Sequence, residues 1–594
     1  LFDNIGFFFS YQTGQMYMRY FMWNFVGRQN DEQGQGSVYD GQWLSGIKPI
    51  DAVRLGDQSH LPPSITENKA YNRFFFLPLI LGLIGAYWHF KRNQKDAGIV
   101  ALLFFFTGIA IVLYLNQKPL EPRERDYAYA GSFYAFAIWI GIGVLGIRDW
   151  LSQKINPLNG AIAGTVIGLF AAPVIMAAQG WDDHDRSTKW VARDIAIDYL
   201  QSCAPNAILF TYGDNDTYPL WYAQEVENVR PDIRLVNLSL FDTDWYINGM
   251  KRVQNASAPL PISMEEKDYV QGVRDVMYYQ DYKVAGHVEL RNILDILLSD
   301  NDEDKLAMQD GRKVNFIPTK NFKLTVNKED VLKNDVVTAA DSAKIAPALE
   351  WTFNKNYVTK GTLAMFDILV HNNWKRPIYF ASTVPSEQYN GLGNYLYTEG
   401  LAIRLLPLKV DTAAAQSSEL INTPVLYDNL MNKFVWGNVK NARYLDTQSA
   451  DDVSIFTNIF NNAITGLLRE GKTAEAKKVA DRYFEVMPDR FFGLRSTMGA
   501  YFMAENLYQL NDPKRANALI EKSADYIEKE LIYLSDVSRS KNKLVGSQNV
   551  QLGWSFLNQM VKTAAANKQT KLAESLTQKF SGIEARFAQY FGPQ

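Results

Sequence analysis

An apolar run long enough to cross a membrane occupies residues 97–116 and reads AGIVALLFFFTGIAIVLYLN. Three similar runs lie near it, at residues 74–90, 131–147 and 161–178, and none of the four contains Lys, Arg, Asp or Glu. Each is close to the ~20 residues that a helix needs to cross a hydrocarbon core, and only a helix satisfies the backbone of such a run in lipid. The sequence therefore predicts about four transmembrane helices within residues 73–180.

Basic residues flank these runs unevenly. The first two runs are separated by KRNQKD at residues 91–96, and Arg148 and Lys154 follow the third run. The positive-inside rule places both loops in the cytoplasm. Residues 117–130 and everything after residue 180 are then expected on the other side, which is the periplasm if the chain lies in a bacterial inner membrane. The aromatic residues 15–26 predict an interfacial helix within a periplasmic segment, residues 1–72, whose residues 31–72 form a polar loop.

The remainder of the chain predicts two domains of different kinds. Residues 181–410 are predicted to form a periplasmic α/β domain, because a strand at 207–212, a helix at 218–228 and a strand at 233–240 have βαβ spacing. Residues 411–594 are predicted to form an α-helical domain. Its helix pair at 454–470 and 473–486, joined at Gly471 and followed by Pro488, resembles a tetratricopeptide (TPR) repeat. The fold class is therefore a multi-domain membrane protein.

Composition excludes several classes of protein. The 61 basic and 64 acidic residues give a net charge of −3, so no nucleic-acid partner is expected. The single cysteine, Cys203, and five scattered histidines provide no zinc-ligand spacing. The chain also lacks Gly-x-Ser-x-Gly, P-loop and His-Glu-x-x-His motifs, which disfavours hydrolase and nucleotide-triphosphatase readings.

The loop between the second and third apolar runs is densely charged. Residues 119–130 read PLEPRERDYAYA and include Glu121, Arg123, Arg125 and Asp126. Guanidinium groups bind phosphate oxygens through two parallel hydrogen bonds, and a lipid phosphate would lie at this depth. The loop is therefore a candidate for substrate binding. An Arg–Glu salt-bridge cluster that orders the loop is an equally good interpretation.

A second acidic pair, Asp214 and Asp216, follows the first predicted strand of the βαβ unit. The carboxyl ends of parallel strands are where α/β sheets place their sites, and Asp-x-Asp could hold a divalent cation. The alternative is a turn in which Asp216 caps the next helix, and this reading is favoured. No metal and no other cofactor is therefore expected.

Three stretches together resemble one bacterial family. They are residues 15–31, QMYMRYFMWNFVGRQND, residues 119–130 quoted above, and residues 206–240, NAILFTYGDNDTYPLWYAQEVENVRPDIRLVNLSL. In these stretches the chain resembles the protein O-mannosyltransferase-like membrane proteins of glycosyltransferase family 117, formerly a domain of unknown function. The resemblance extends from residue 1 to at least residue 380.

This resemblance implies a GT-C-like fold and activity. Such an enzyme would move a sugar, mannose by the family name, from a polyprenyl-phosphate donor in the membrane lipid to Ser or Thr of an exported protein. The catalytic carboxylate of the class follows the first membrane helix; that motif is absent here and is expected upstream of Leu1. The positions that carry over as substrate-binding or structural residues are Glu121, Arg123, Arg125, Asp126, Arg19 and Arg28. The alternative function is a non-enzymatic, membrane-anchored periplasmic scaffold for envelope assembly or secretion.

Overall fold

A computed structural model describes residues 2–34, 36–119, 121, 123–308, 311, 313–409 and 420–590. The chain is mostly helical and divides into two compact units. The first unit comprises residues 1–189, 440–454 and 488–594, and the second comprises residues 190–439 and 455–487. The helical tail therefore contributes to both units.

Three continuous helical stretches of the first unit are long and apolar enough to cross a membrane. They run over Gln94–Leu115, Asp126–Ser152 and Pro157–His184. Their component helices are Gln94–Phe106, Ile109–Leu115, Ala130–Ser152, Pro157–Leu169 and Ile175–His184, with a 3₁₀ turn at Asp126–Tyr129 and a π turn at Phe170–Val174. Three of the about four predicted transmembrane helices are thus confirmed in length and composition.

The first predicted membrane segment is a shorter helix, Leu77–Arg92, of 16 residues. At 1.5 Å per residue it is about 24 Å long. It begins only after Phe75 and Phe76, which both have positive φ, 54° and 60°. This turn removes the first three residues of the apolar run from the helix.

The short helix packs closely against the helix Ala130–Ser152. Gly85 touches the backbone of Trp139, and a Cβ atom there would lie 1.8 Å from the Trp139 carbonyl oxygen. Gly82 lies against Phe136, and Trp88 lies against Gly146. The two helices therefore run in the same direction. Glycines allow this contact because, in lipid, helices associate mainly by close backbone approach.

The segment before the membrane helices is also helical. An α-helix at Phe2–Phe7 continues as a π-helix at Phe8–Met18 and as an α-helix at Arg19–Phe25, so the helix predicted at residues 15–26 is longer than expected. Phe21 and Phe25 pack against Phe136 and Trp139. The prediction of a polar loop at residues 31–72 is wrong in part, because the helices Lys48–Leu55 and Pro63–Thr66 lie within it. The strands Gly27–Arg28 and Asn72–Arg73 pair at its two ends.

The second unit is built on a five-stranded sheet. Its strand order is Leu396–Thr398, Ala402–Leu405, Ile378–Ala381, Ile208–Thr211 and Arg234–Asn237, and the last three strands are parallel. The helix Asp214–Glu225 connects the last two strands, as the predicted βαβ unit requires, with Ile208 opposite Arg234. The strands Ile208–Thr211 and Ile378–Ala381 are fully buried, and the helices Val191–Ser202 and Lys360–Asn372 of the same unit are largely buried.

Smaller elements complete the second unit. Its additional strands are Val288–Glu289, Asn321–Thr325 and Ala348–Thr352 in one sheet, Val276–Tyr278 with Tyr357–Thr359, and Leu306–Ala307 with Lys313–Val314. Its additional α-helices are Asp244–Met250, Glu266–Tyr269, Leu290–Leu298, Lys328–Lys333 and Thr423–Asp428. The remaining turns of helix are Asp302–Asp304, Ala339–Lys344, Ser386–Tyr389, Leu392–Tyr395 and Asn429–Lys433.

The tail is helical, as predicted. Its helices are Thr447–Arg469, Thr473–Val486, Leu494–Gln509, Pro513–Ser540, Ser547–Ala566 and Thr570–Phe587. Within each successive pair the turn contains a residue of positive φ: Gly471, Asn511 and Lys568. Such residues end a helix and reverse the chain. The TPR-like character of these pairs stays a prediction.

Candidate functional site

The charged loop, residues 116–125, is fastened to the segment that precedes the membrane helices. The Gln12 side-chain amide donates to Asn116 Oδ1 and to the Gln117 carbonyl oxygen, both at 3.0 Å. At the other end of the loop, the Glu124 backbone amide donates to Gln33 Oε1 at 3.0 Å. The loop is therefore held at both ends by residues about 90 to 105 positions earlier in the chain.

Glu124 is the centre of this site, with only 4% of its surface exposed. Its carboxylate accepts hydrogen bonds from the Arg19 guanidinium and the Tyr20 hydroxyl. Arg19 is equally buried and lies 4.3 Å from the Tyr20 ring and 4.9 Å from the Trp23 ring. Burial raises the pKa of the Glu124 carboxyl, and the charge of Arg19 offsets this only in part.

Arg28, the second arginine of the aromatic stretch, also contacts a carboxylate of the chain. Its guanidinium donates to Asp183 Oδ2, near the end of the last membrane helix, and to the Ala70 carbonyl oxygen at 3.2 Å. Arg19 and Arg28 therefore each have a structural partner. Their predicted contact with substrate stays a prediction.

The other charged residues of the run 119–130 are at least partly exposed. Arg125 Nε donates to Glu121 Oε2 at 3.1 Å, and both side chains are partly exposed. Asp126 is half-buried at the first position of a 3₁₀ turn. Arg123 is exposed with its guanidinium 5.9 Å from the Tyr127 ring, and among the described residues it makes no ion pair. Arg123 is thus the loop arginine that is most available to an external anion.

The set of site residues predicted from the sequence does not include Glu124. Its burial depends on Arg19 and Tyr20, which lie more than 100 positions away in the chain. The neighbours Arg123 and Arg125 share the same charged run but are exposed. The only sequence signal was the joint occurrence of two aromatic, arginine-containing motifs.

Asp214 and Asp216 lie at the carboxyl end of a parallel strand, as predicted. The helix begins after Gly213, whose φ is 83°, and no side chain caps it, so the prediction that Asp216 is the cap is wrong. Asp216 lies in the first turn, where it accepts the Tyr212 amide at 3.4 Å. Burial raises the pKa of Asp216, and a hydrogen bond with Thr383 opposes that rise. Among the described residues, no cluster of three or more His, Cys, Asp or Glu side chains could hold a metal ion.

The first unit also contains a cavity of about 420 Å³ outside its membrane helices. Its acidic lining residues are Asp31, Glu32, Asp40, Glu67, Asp451 and Glu530, and its basic ones are Lys69, Arg490 and Arg495. Burial raises the pKa of Glu32 to about 8, with Asp40, Asp31 and Asp451 adding to the rise. Burial likewise raises the pKa of Glu530 to about 7, although Ser64 donates to both of its oxygens. The sequence did not indicate this cavity, because its acids are spread over 500 positions.

The fold and the site define a class: a protein with apolar helices of membrane-spanning length, a charged loop tied to an aromatic helix, and an α/β domain. Within that chain, residues 192–425 match the family model described as TMEM260-associated domain 2. The match covers the α/β domain and less than half of the chain. No solved structure matches.

Proposed function

We propose that this chain is part of a GT-C-like glycosyltransferase of a bacterial inner membrane. It would transfer a sugar, mannose by the family resemblance, from a polyprenyl-phosphate donor to Ser or Thr of an exported protein. The observation that carries this proposal is the exposed Arg123 beside the fixed, buried Glu124. An exposed arginine on a loop between two apolar helices can bind a lipid phosphate.

The arrangement of the helices supports four membrane crossings. Gln179, near the end of the last membrane helix, exchanges two 2.7 Å hydrogen bonds with the backbone of Arg73, just before the short helix. At the far end of that helix, Trp88 donates to Asp149, near the end of the helix Ala130–Ser152. The short helix thus extends between the same two levels as its neighbours. Residues 91–96 and 148–154 would then face the cytoplasm, as their basic residues favour.

Labelling of single cysteines tests this topology. Glu121→Cys replaces a partly exposed residue and should react with a membrane-impermeant maleimide in intact spheroplasts. Lys95→Cys should react only after lysis. Cys203 is buried and gives a low background. Labelling of Lys95→Cys in intact cells would overturn the proposed orientation.

In this proposal, Arg123 stabilises the departing phosphate. As the bond between the sugar and the phosphate oxygen breaks, negative charge develops on that oxygen, and the guanidinium stabilises it through paired, charge-assisted hydrogen bonds. A metal ion is not needed for a single phosphate. The α/β domain and the helical tail would recognise the exported acceptor protein.

A transfer assay with membranes that contain the full-length protein tests the function. Arg123→Lys keeps the charge but loses the paired donors, so transfer should fall at least about tenfold. Arg148→Lys is the matched control, because Arg148 lies at the opposite end of its helix. Equal activity in the two variants, or no transfer by the wild-type protein, would favour the scaffold. In the scaffold Arg19 only holds the loop through Glu124, and Arg28 only binds Asp183 of the last membrane helix.

A further inference from the structure

Several buried polar atoms beside the loop 116–125 lack partners. Among the described residues they include Gln15 Nε2, both side-chain amide atoms of Gln117, and Glu124 Oε1. Gln117 is 3% exposed and Glu124 is 4% exposed. An unsatisfied buried polar group costs about 1–3 kcal/mol, and native structures contain few of them. A group that supplies hydrogen bonds is therefore expected at this place.

Gln117 and Glu124 are both bound by one helical segment, on which Gln15 also lies. Gln12 donates to the Gln117 carbonyl oxygen, and Arg19 donates to the Glu124 carboxylate. Gln15 lies between Gln12 and Arg19, and its carbonyl oxygen accepts a bond from Arg19 Nε at 3.1 Å. Gln12 and Arg19 are seven positions apart, so these contacts lie within about two turns of the same segment.

The helix itself is unusual at this point. Phe8–Met18 forms an 11-residue π-helix. This conformation is rare in proteins, and where it occurs it is often at a functional site. Tyr11 on this segment stacks on Phe7, with 5.2 Å between the ring centres. Burial raises the pKa of the Tyr11 hydroxyl, and the negative charge of Glu124 adds to that rise.

The unpartnered atoms include both hydrogen-bond donors and acceptors, and this mixture indicates which kind of ligand could bind them. Gln15 Nε2 and Gln117 Nε2 donate, whereas Gln117 Oε1 and Glu124 Oε1 accept. A phosphate offers only acceptors and would be repelled by Glu124. A metal ion satisfies only the two acceptors. A hydroxyl group both donates and accepts, so a neutral ligand with several hydroxyl groups satisfies all four atoms.

We propose that Gln15, Gln117 and Glu124 bind the hydroxyl groups of the sugar carried by the lipid donor. This inference rests on the proposed function and deepens it, because it assigns the phosphate and the sugar of the donor to two different parts of one loop. Arg123 contacts the phosphate outside, and its neighbour Glu124 contacts the sugar inside. The three polar residues are then specificity residues for the sugar.

The proposal is tested by measuring ligand binding to the purified full-length protein in nanodiscs, as wild type and as the Gln117→Leu variant. The probes are a short-chain polyprenyl-phosphate hexose, the same lipid phosphate without sugar, and the free hexose. Gln117→Leu removes two unpartnered polar atoms at similar volume, so the melting temperature should hold or rise. Affinity for the glycosylated lipid should fall about tenfold, which is about 1.4 kcal/mol, while affinity for the bare lipid phosphate stays unchanged.

Gln12→Leu is the matched control for stability. The Gln12 amide has two partners, so its loss should lower the melting temperature, opposite to Gln117→Leu. Unchanged affinity of Gln117→Leu for the glycosylated lipid would overturn the sugar site and leave the proposed function intact. A lower melting temperature with equal loss for both lipids would assign Gln117 a structural role. Binding of the free hexose alone would overturn the lipid source, and failure of the wild type to bind either lipid would overturn the proposed function as well.

Discussion

The loop 116–125 and the turn 213–216 both carry carboxylates at the ends of regular elements, yet they differ in how these carboxylates are satisfied. In the turn, Asp216 binds a backbone amide of its own strand–helix connection. In the loop, Glu124 uses one oxygen for Arg19 and Tyr20 and keeps the other unpartnered among the described residues. The difference shows that a carboxylate becomes a candidate for chemistry when the fold buries it without satisfying it.

The largest effect should follow from breaking the buried pair in the loop. Glu124→Ala leaves the Arg19 guanidinium buried without its carboxylate, and the free energy of unfolding should fall by about 3–5 kcal/mol. Denaturation followed by tryptophan fluorescence in detergent measures this change.

The matched control for the buried pair is Glu121→Ala. Its partner Arg125 is partly exposed, so the loss should stay under about 1 kcal/mol. Equal losses in the two variants would show that burial does not distinguish Glu124 from its neighbours.

In the turn, the effect should be smaller and should not extend to activity. Asp216→Leu removes the acceptor for the exposed Tyr212 amide, and the α/β domain should lose about 0.5–1.5 kcal/mol of stability. Asp216→Asn keeps an acceptor oxygen and should retain both stability and sugar transfer. A well-folded but inactive Asp216→Asn protein, inhibited further by a chelator, would move the chemistry to the turn.

Part of this comparison could be predicted from the sequence. Continuous apolar runs and strand–helix–strand spacing depend on neighbouring residues, so the membrane helices and the βαβ unit were predicted correctly. The short first helix was not, because the left-handed turn at Phe75 and Phe76 carries no glycine or asparagine signal. Glu124 was missed because its partners come from a segment distant in the chain. The cavity acids Asp31 and Glu530 were missed for the same reason.

The cavity provides a third way to bury carboxylates, and its effect should depend on pH. The folded state keeps the proton on Glu32 up to a pKa of about 8, whereas the unfolded chain releases it near the ordinary value of 4.5. The folded state therefore binds more protons in this range, and stability should fall as the pH rises from about 4.5 to 8. Asp31, Asp40 and Asp451 face Glu32 and add to the repulsion.

Glu32→Gln isolates this effect. The variant should melt about 2–4 °C above the wild type at pH 8.5, on the scale of ~1 kcal/mol, and close to it at pH 5. Glu574→Gln is a suitable control, because this exposed residue lies on the tail helix Thr570–Phe587, outside the cavity. An equal shift at both pH values would show that the proton on Glu32 is not involved.

Photo-crosslinking tests the central claim most directly, because it asks whether the loop 116–125 or the turn 213–216 contacts the donor. The probe is a polyprenyl-phosphate hexose with a diazirine next to the phosphate, and the full-length protein is labelled in native membranes. Mass spectrometry should find the adducts on residues 117–127, and excess unlabelled donor should suppress them. Adducts on residues 213–216, or adducts that unlabelled donor does not suppress, would contradict a donor site at the loop.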